Sequence, residues 1–166
     1  MKNWSIKKIL KEIAITLVMV FVVSIVLNYI RKPDTDVQIP NIKTTSILGQ
    51  EILFDSEQNR TTVIHFWATW CPTCKLEAPN IERIKDKTHV ITVAVNSGTD
   101  EALLSFMKER GYTYNVVNDR DGKLAEKFGV GVFPTTFIYN SKGELEFSEV
   151  GYSTTLGLEA RINLID

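Results

Sequence analysis

The sequence predicts an α/β fold, a mixed sheet flanked by helices, with a hairpin at its start and one transmembrane helix before it. Apolar, β-branched runs alternate with stretches that carry helix-capping residues, which is typical of parallel strands connected by helices. The last two apolar runs are joined by a short polar turn instead, which favours an antiparallel pair. An uncharged apolar stretch near the N-terminus precedes all of these elements.

The first 38 residues are predicted to form a membrane anchor and its flanks. Residues 13–30 carry no charge and would measure about 27 Å as a helix, just enough to cross a hydrocarbon core. Residues 1–12 carry four lysines against one acid, which favours a cytoplasmic basic segment and an external remainder. Residues 31–38 are predicted to be a polar tether. A cleaved signal peptide is the alternative, but no small-residue cleavage site follows the apolar run.

A single domain is predicted over residues 39–166, because about 130 residues suffice for one core. The chain after Lys32 carries 19 acidic against 13 basic side chains, whereas the segment through Lys32 carries one acid against six basic side chains. This acidic balance argues against a nucleic-acid-binding protein. The expected location is the inner membrane, single-pass, with the domain in the periplasm or on the outer face of a plasma membrane.

The first elements of the domain are a hairpin, a strand and a helix. Residues 42–46 and 51–54 flank a Leu-Gly-Gln turn and are predicted to pair as a hairpin at the edge of the sheet. Residues 61–67 form an apolar run typical of a buried strand. A helix over 72–86 follows, because Pro72 suits the first helical position. Residues 90–95 are almost continuously apolar, as in a parallel strand covered on both faces.

The later elements continue the alternation and end in a hairpin. Thr99 or Asp100 is a suitable N-cap for a helix that Gly111 ends. Short elements are then predicted as a strand over 115–118, a helix over 123–128 and a strand over 135–139. The turn 140–143 leads into a strand over 144–150, and a last helix is predicted over about 154–164.

Cys-Pro-Thr-Cys at 71–74 is the clearest chemical signal in the chain. With Pro72 at the first helical position, Cys71 is expected at the N-cap and Cys74 within the first turn. Free backbone N–H groups and the positive end of the helix dipole favour a thiolate there, and the thiolate attacks disulfides. Cys71 is therefore expected to be the exposed attacking thiol, and Cys74 the shielded thiol that resolves the intermediate. Trp70 flanks this site.

Two other uses of the cysteine pair are less favoured. A structural zinc site needs four ligands, and besides the two cysteines the sequence offers His65 and His89, neither at ligand spacing. Two cysteines can also fill a core without reacting. A Cys-x-x-Cys beside alternating strands and helices is more typical of a redox pair, so no metal and no cofactor are expected.

The motif resembles the active site of the membrane-anchored, thioredoxin-like proteins of the TlpA/ResA/DsbE family. The resemblance rests on Phe-Trp-Ala-Thr-Trp-Cys-Pro-Thr-Cys at 66–74 and continues through Glu77, Pro79, residues 93–96 and residues 131–138. It covers the chain from about residue 37 to its end and implies a thioredoxin-like fold. The ending Gly-Tyr-Ser-Thr-Thr-Leu-Gly-Leu at 151–158 is most similar to the ScsD-like branch of bacterial protein disulfide oxidoreductases.

The resemblance also implies roles for individual residues. Glu77 lies three residues after Cys74, on the same helical face, and in the family a glutamate at this position belongs to the active site. A carboxylate there raises the pKa of the thiols, and a desolvated one can carry a proton. A cis peptide is implied at Pro134, facing the dithiol, with the backbone of Phe133 available to a substrate strand. An exposed helix glutamate and a trans turn proline are the ordinary alternatives.

His65 departs from the family pattern. Thioredoxins carry a buried acid six residues before the first cysteine, and many TlpA-type proteins carry a neutral residue. In an inward-facing strand position, a histidine is usually neutral and held by one hydrogen bond. A charged imidazole would instead stabilise the thiolate and make the disulfide more oxidising. The neutral form is the expected one, and tuning of the thiol pKa by His65 is the alternative.

The predicted function is that of a membrane-tethered thiol–disulfide oxidoreductase, which exchanges disulfides with extracytoplasmic proteins through a mixed disulfide. Its expected partners are protein thiols and disulfides, and a membrane protein that regenerates the dithiol. A dedicated reductant in cytochrome c maturation is one alternative, suggested by the Cys-Pro-Thr-Cys of the DsbE branch. A copper metallochaperone is an alternative of a different class, although no histidine follows His89.

Overall fold

The computed structural model describes residues 8, 11–16, 18, 19, 22, 23, 39–55 and 60–165. The described residues between 8 and 23 are helical. Most of the predicted anchor, 13–30, and the whole of the predicted tether, 31–38, lie outside the described residues. Within the described ranges, no helix has both the length and the apolar character that crossing a membrane requires. The chain divides into two compact units, Met1–Lys32 and Pro33–Asp166.

Between Ile42 and Ile165, the described residues form seven strands and four helices. The strands are β1 (Ile42–Thr45), β2 (Glu51–Phe54), β3 (Thr62–Trp67), β4 (His89–Val95), β5 (Asn115–Asp119), β6 (Thr135–Tyr139) and β7 (Leu145–Val150). The helices are α1 (Pro72–Ile84), α2 (Asp100–Arg110), α3 (Lys123–Lys127) and α4 (Thr155–Ile165). Every element predicted for the domain is present, with ends that differ from the prediction by about two residues or fewer.

The main sheet has five strands in the order β5–β4–β3–β6–β7. β3, β4 and β5 are parallel, whereas β6 and β7 are antiparallel to their neighbours, so the predicted mixed sheet is confirmed. β1 and β2 form a separate antiparallel hairpin. A bridge between Ser46 and Val117 joins the hairpin to the edge strand β5, and the Ile47 N–H donates to the Val116 carbonyl at 2.9 Å. The hairpin therefore lies at the sheet edge, as predicted.

The two faces of the sheet are covered by different elements. Val63 and Trp67 of β3 belong to the apolar cluster under α1, α2 and α4, whereas Ile64 and Phe66 belong to the cluster under the hairpin and α3. All six residues of β3 are buried, as its apolar run predicts. Because successive strand residues point to opposite faces, His65 lies on the face that α1 covers. The face under α1 is therefore where the sequence-predicted chemical groups gather.

Candidate active site

The dithiol lies where β3 leads into α1. Cys71 is the N-cap of α1, with extended backbone angles (φ −82°, ψ 115°), and Pro72 follows in the first turn. The sulfur of Cys71 accepts the backbone N–H of Cys74 at 3.1 Å, which is the bond that a capping oxygen usually makes. The predicted placement of both cysteines is confirmed, and their sulfurs are joined in a disulfide.

The exposure of the two cysteines differs from the prediction in degree. Cys71 is 5% exposed and Cys74 is 1% exposed, so Cys71 is the more accessible residue but is not openly exposed. A segment 62 residues away in sequence contributes to this burial: the carbonyl oxygen of Phe133 lies 3.8 Å from the Cys71 sulfur. A local motif cannot reveal such a contact, because it depends on how β6 enters the sheet.

Trp70 and Phe133 border the dithiol. Trp70 is 57% exposed, and its ring meets the Phe133 ring edge to face, with 5.8 Å between centroids. The indole Nε1 donates to the carbonyl oxygen of Asn96 at 3.2 Å, which fixes the ring. The Phe133–Pro134 peptide is cis, as the resemblance implies. Trp70, Phe133 and Pro134 thus lie together beside Cys71, and their part in substrate binding stays a prediction.

Glu77 is completely buried within α1. No described residue hydrogen-bonds either carboxylate oxygen. Burial raises the pKa of Glu77 to about 8, and the backbone N–H of Ser153 opposes this rise without reaching hydrogen-bond geometry. The alternative of an exposed helix glutamate is therefore wrong. The carboxyl is mostly protonated at pH 7 and lies about one helical turn after Cys74.

The two histidines are both neutral at pH 7. His65 is buried, its Nδ1 lies 2.9 Å from the hydroxyl oxygen of Thr136, and burial lowers its pKa to about 3. His65 therefore brings no positive charge to the dithiol, in agreement with the expected neutral form. His89 begins β4, where burial lowers its pKa to about 4. Over the described part of the chain, no three His, Cys, Asp or Glu side chains form a group that could hold a metal ion.

Sequence reasoning missed the polar residues that hold the loops around the site. The hydroxyl of Ser97 accepts the N–H of Thr69 at 3.0 Å, which ties the loop before Cys71 to the end of β4. Asn80 of α1 is buried and makes hydrogen bonds to the segment between β7 and α4. Its position three residues after Glu77 places both on one side of the helix, and that spacing was the available signal.

The sequence of this chain matches a family model and several known proteins. Residues 34–162 match the family model described as Redoxin. A thioredoxin-like protein of Haemophilus influenzae is 31% identical over 160 residues, which cover 95% of this chain and 95% of that protein. Thiol-disulfide oxidoreductase ResA of Bacillus subtilis is 32% identical over 130 residues, 76% of this chain and 73% of that protein.

A solved structure agrees with the fold. StoA from Bacillus subtilis matches with a TM-score of 0.64 and 26% sequence identity, over 74% of this chain and 98% of that chain. The thioredoxin-like fold expected from the active-site sequence is thereby confirmed.

Proposed function

The chain belongs to the Redoxin family and is a thiol–disulfide oxidoreductase, and from this premise we propose that it acts as a membrane-tethered enzyme on extracytoplasmic proteins. Cys71 and Cys74 are its redox pair. The observation that most directly supports this reaction is the position of the Cys71 sulfur at the helix N-cap, where it accepts the Cys74 N–H at 3.1 Å. The substrates are protein thiols and disulfides.

The reduced enzyme reacts in two exchange steps. The Cys71 thiolate attacks one sulfur of a substrate disulfide, which forms a mixed disulfide and releases the other substrate sulfur as a thiolate. The Cys74 thiolate then attacks the Cys71 sulfur, which forms the Cys71–Cys74 disulfide and releases the second substrate thiol. Two electrons pass from the dithiol to the substrate. The reverse sequence oxidises a substrate dithiol, and the N–H of Cys74 stabilises negative charge on Cys71 in either direction.

Glu77 accepts the proton that Cys74 loses before the second step. Cys74 must lose a proton before it attacks, and the ionised form of the buried Glu77 carboxyl, about one turn away on the same side of α1, can take it up. Because burial raises the pKa of Glu77 to about 8, the group can both hold and release a proton near neutral pH. Its ionised form also disfavours a second negative charge nearby, which makes the dithiol a stronger reductant.

The exposed border of Trp70 and Phe133 receives the substrate. A 57% exposed indole, held by Asn96 and packed against Phe133, offers a rigid apolar surface next to the reactive sulfur. Rigid aromatic side chains contribute binding energy at little cost in conformational entropy. Such a surface suits an extended protein segment better than a small charged molecule.

The tether is proposed from the N-terminal sequence. Residues 13–30 carry no charge, and the lysines of residues 1–12 favour a cytoplasmic N-terminus. The alignment with the Haemophilus influenzae protein covers 95% of this chain, so it extends into this segment. The domain then faces the periplasm or the outside of a plasma membrane, and a membrane redox partner regenerates the dithiol.

Delivery of electrons to substrates is the direction that Glu77 favours, because its ionised carboxylate disfavours the thiolate form of the reduced pair and so makes that pair easier to oxidise. A dedicated reductant, as in cytochrome c maturation, is therefore the second candidate. The ending at 151–158 leads us to propose membership of the ScsD-like branch. A measured reduction potential of the Cys71–Cys74 pair decides between a reductant and an oxidant.

The reaction is tested with the fragment Pro33–Asp166, which forms a compact unit of its own. The fragment should catalyse reduction of insulin by dithiothreitol, and Cys71→Ser should abolish this activity. Cys74→Ser should accumulate mixed disulfides through Cys71, detected by mass spectrometry of the trapped adducts. Mixed disulfides that form through Cys74 in Cys71→Ser, and none in Cys74→Ser, would reverse the assignment of attacker and resolver.

The location is tested in the full-length chain. A reporter fused after Asp166 should be active outside the cytoplasm, and the protein should fractionate with membranes and keep its N-terminal segment. N-terminal sequencing that begins after Ile30 would exclude the anchor and support a cleaved signal peptide instead.

A further inference from the structure

Asn80 connects α1 to the segment that follows β7. Its amide nitrogen donates to the carbonyl oxygen of Ser153 at 2.9 Å and to the hydroxyl of Tyr152 at 3.1 Å. Its amide oxygen accepts the hydroxyl of Thr155 at 2.8 Å. Asn80 is 7% exposed, so these bonds form largely out of water. Both ends of one buried amide therefore hold the segment 152–155 against α1.

The same segment comes close to Glu77 at Ser153. Ser153 is buried and is contacted from two directions: its carbonyl oxygen accepts from Asn80, and its backbone N–H lies toward the Glu77 carboxyl. The preceding residue, Tyr152, is 52% exposed, so the segment reaches solvent immediately before Ser153. Glu77 itself has no exposed surface and no hydrogen bond from a described residue. The segment at Ser153 is thus part of the barrier between Glu77 and water.

We propose that Asn80 is a positioning residue for the disulfide exchange: its amide holds residues 152–155 closed over Glu77 and keeps water away from that carboxyl. This inference rests on the proposed role of Glu77 as the proton carrier. Loss of the Asn80 amide releases the segment, water reaches the carboxyl, and Glu77 ionises at a lower pH. The ionised carboxylate then opposes thiolate formation at the dithiol.

The other titratable groups near α1 do not account for such an effect. They are Cys71 at the N-cap of α1, Cys74 within it, the exposed Lys75 and Arg83, Glu82, whose carboxylate accepts the N–H of Thr113 at 2.9 Å, His65 on β3, Tyr152 in the segment itself, and Glu159 and Arg161 on α4. In the oxidised protein the cysteines form a disulfide, and His65 is neutral at pH 7. Arg161 pairs with Glu149 at 2.9 Å, and Glu159 pairs with Lys87 at 2.7 Å.

The direct test is a titration of the Glu77 carboxyl in the full-length, oxidised protein in detergent. The carboxyl carbon of Glu is labelled with ¹³C, and the Glu77 signal is assigned by its loss in Glu77→Gln. In the wild type the midpoint should lie near pH 8, where burial places the pKa of Glu77. In Asn80→Ala the midpoint should fall by about two pH units or more, because hydration returns the group toward its ordinary range.

Matched variants separate this role from a general loss of structure. Thr155→Val keeps the side-chain shape but removes one hydrogen bond to Asn80, so its midpoint should fall by a smaller amount. Thr155→Ser keeps the hydroxyl and should titrate like the wild type. Asn140→Ala removes an asparagine that orders the turn between β6 and β7, and should leave the Glu77 midpoint unchanged.

A second readout uses the reduced protein. At pH 7, alkylation of Cys71 should be about tenfold slower in Asn80→Ala, since a thiol pKa raised by about one unit lowers the thiolate fraction tenfold. In a Glu77→Gln background, Asn80→Ala should not change the alkylation rate.

The outcomes distinguish the two proposals. A wild-type Glu77 midpoint near 4.5 refutes the proposed role of Glu77 itself. A wild-type midpoint near 8 that stays unchanged in folded Asn80→Ala overturns the inference about Asn80 alone. If Asn80→Ala does not fold, unchanged midpoints in both Thr155→Val and Tyr152→Phe overturn it.

Discussion

Replacement of Glu77 by glutamine should remove a pH-dependent loss of stability from the oxidised protein. Burial raises the pKa of Glu77 from 4.5 to about 8, so the folded protein keeps a proton that the unfolded chain has already lost. The contribution of the protonated carboxyl to the free energy of unfolding is fully present below pH 4.5 and is lost as pH rises through 8. At about 1.36 kcal/mol per pH unit, the loss between pH 5 and pH 9 is about 4 kcal/mol. Glu77→Gln should lose none of it.

The quantity to measure is the free energy of unfolding of the variant minus that of the wild type. Other titrating groups cancel in this difference, which should grow by about 4 kcal/mol from pH 5 to pH 9. Urea unfolding of the oxidised fragment, followed by circular dichroism, gives both values at each pH. Glu126→Gln, at an exposed position of α3, is the control and should show a constant difference. A constant difference for Glu77→Gln as well would mean that the carboxyl is hydrated, and the reasoning would fail.

Two further predictions concern residues on either side of the dithiol. Trp70→Ala should slow exchange with an unfolded protein substrate about tenfold, because central aromatic contacts are worth more than about 1 kcal/mol. The rate of its reaction with dithiothreitol should stay within about twofold of the wild-type rate. Equal losses with both substrates would show that Trp70 shapes the dithiol instead. His65→Gln should leave the thiol titration of Cys71 unchanged, because a neutral imidazole carries no charge to lose. A rise in that thiol pKa, measured by thiolate absorbance, would instead identify His65 as charged or as a donor toward the site.

Local sequence signals were sufficient for the elements that carry the site. The apolar run of β3 and Pro72 at the start of α1 together determine where the strand ends and the helix begins, and Cys71 then falls at the N-cap. Spacing along α1 also put Glu77 on the face of Cys74. These predictions succeed because each depends on contacts within a few residues of the chain.

The features that sequence reasoning could not predict all depend on distant partners. Phe133, which contributes to the burial of Cys71, lies 62 residues later, and the environment of Glu77 includes Ser153. The hydrogen-bond partners of Asn80 follow it by 72 to 75 positions in the sequence, so the residues near Asn80 do not indicate which partners it has. A buried polar residue on the face of a catalytic helix is the general sign to search for, because burial obliges it to find partners.

The two edges of the main sheet are protected in different ways. The hairpin contacts β5 through the bridge at Ser46 and Val117, which occupies part of that edge. β7 forms the opposite edge, and Glu146 and Glu149 lie along it, with Glu144 just before it. Charged side chains on an edge strand discourage edge-to-edge addition. The acidic side chains along β7 thus disfavour the addition of another strand at that edge of the sheet.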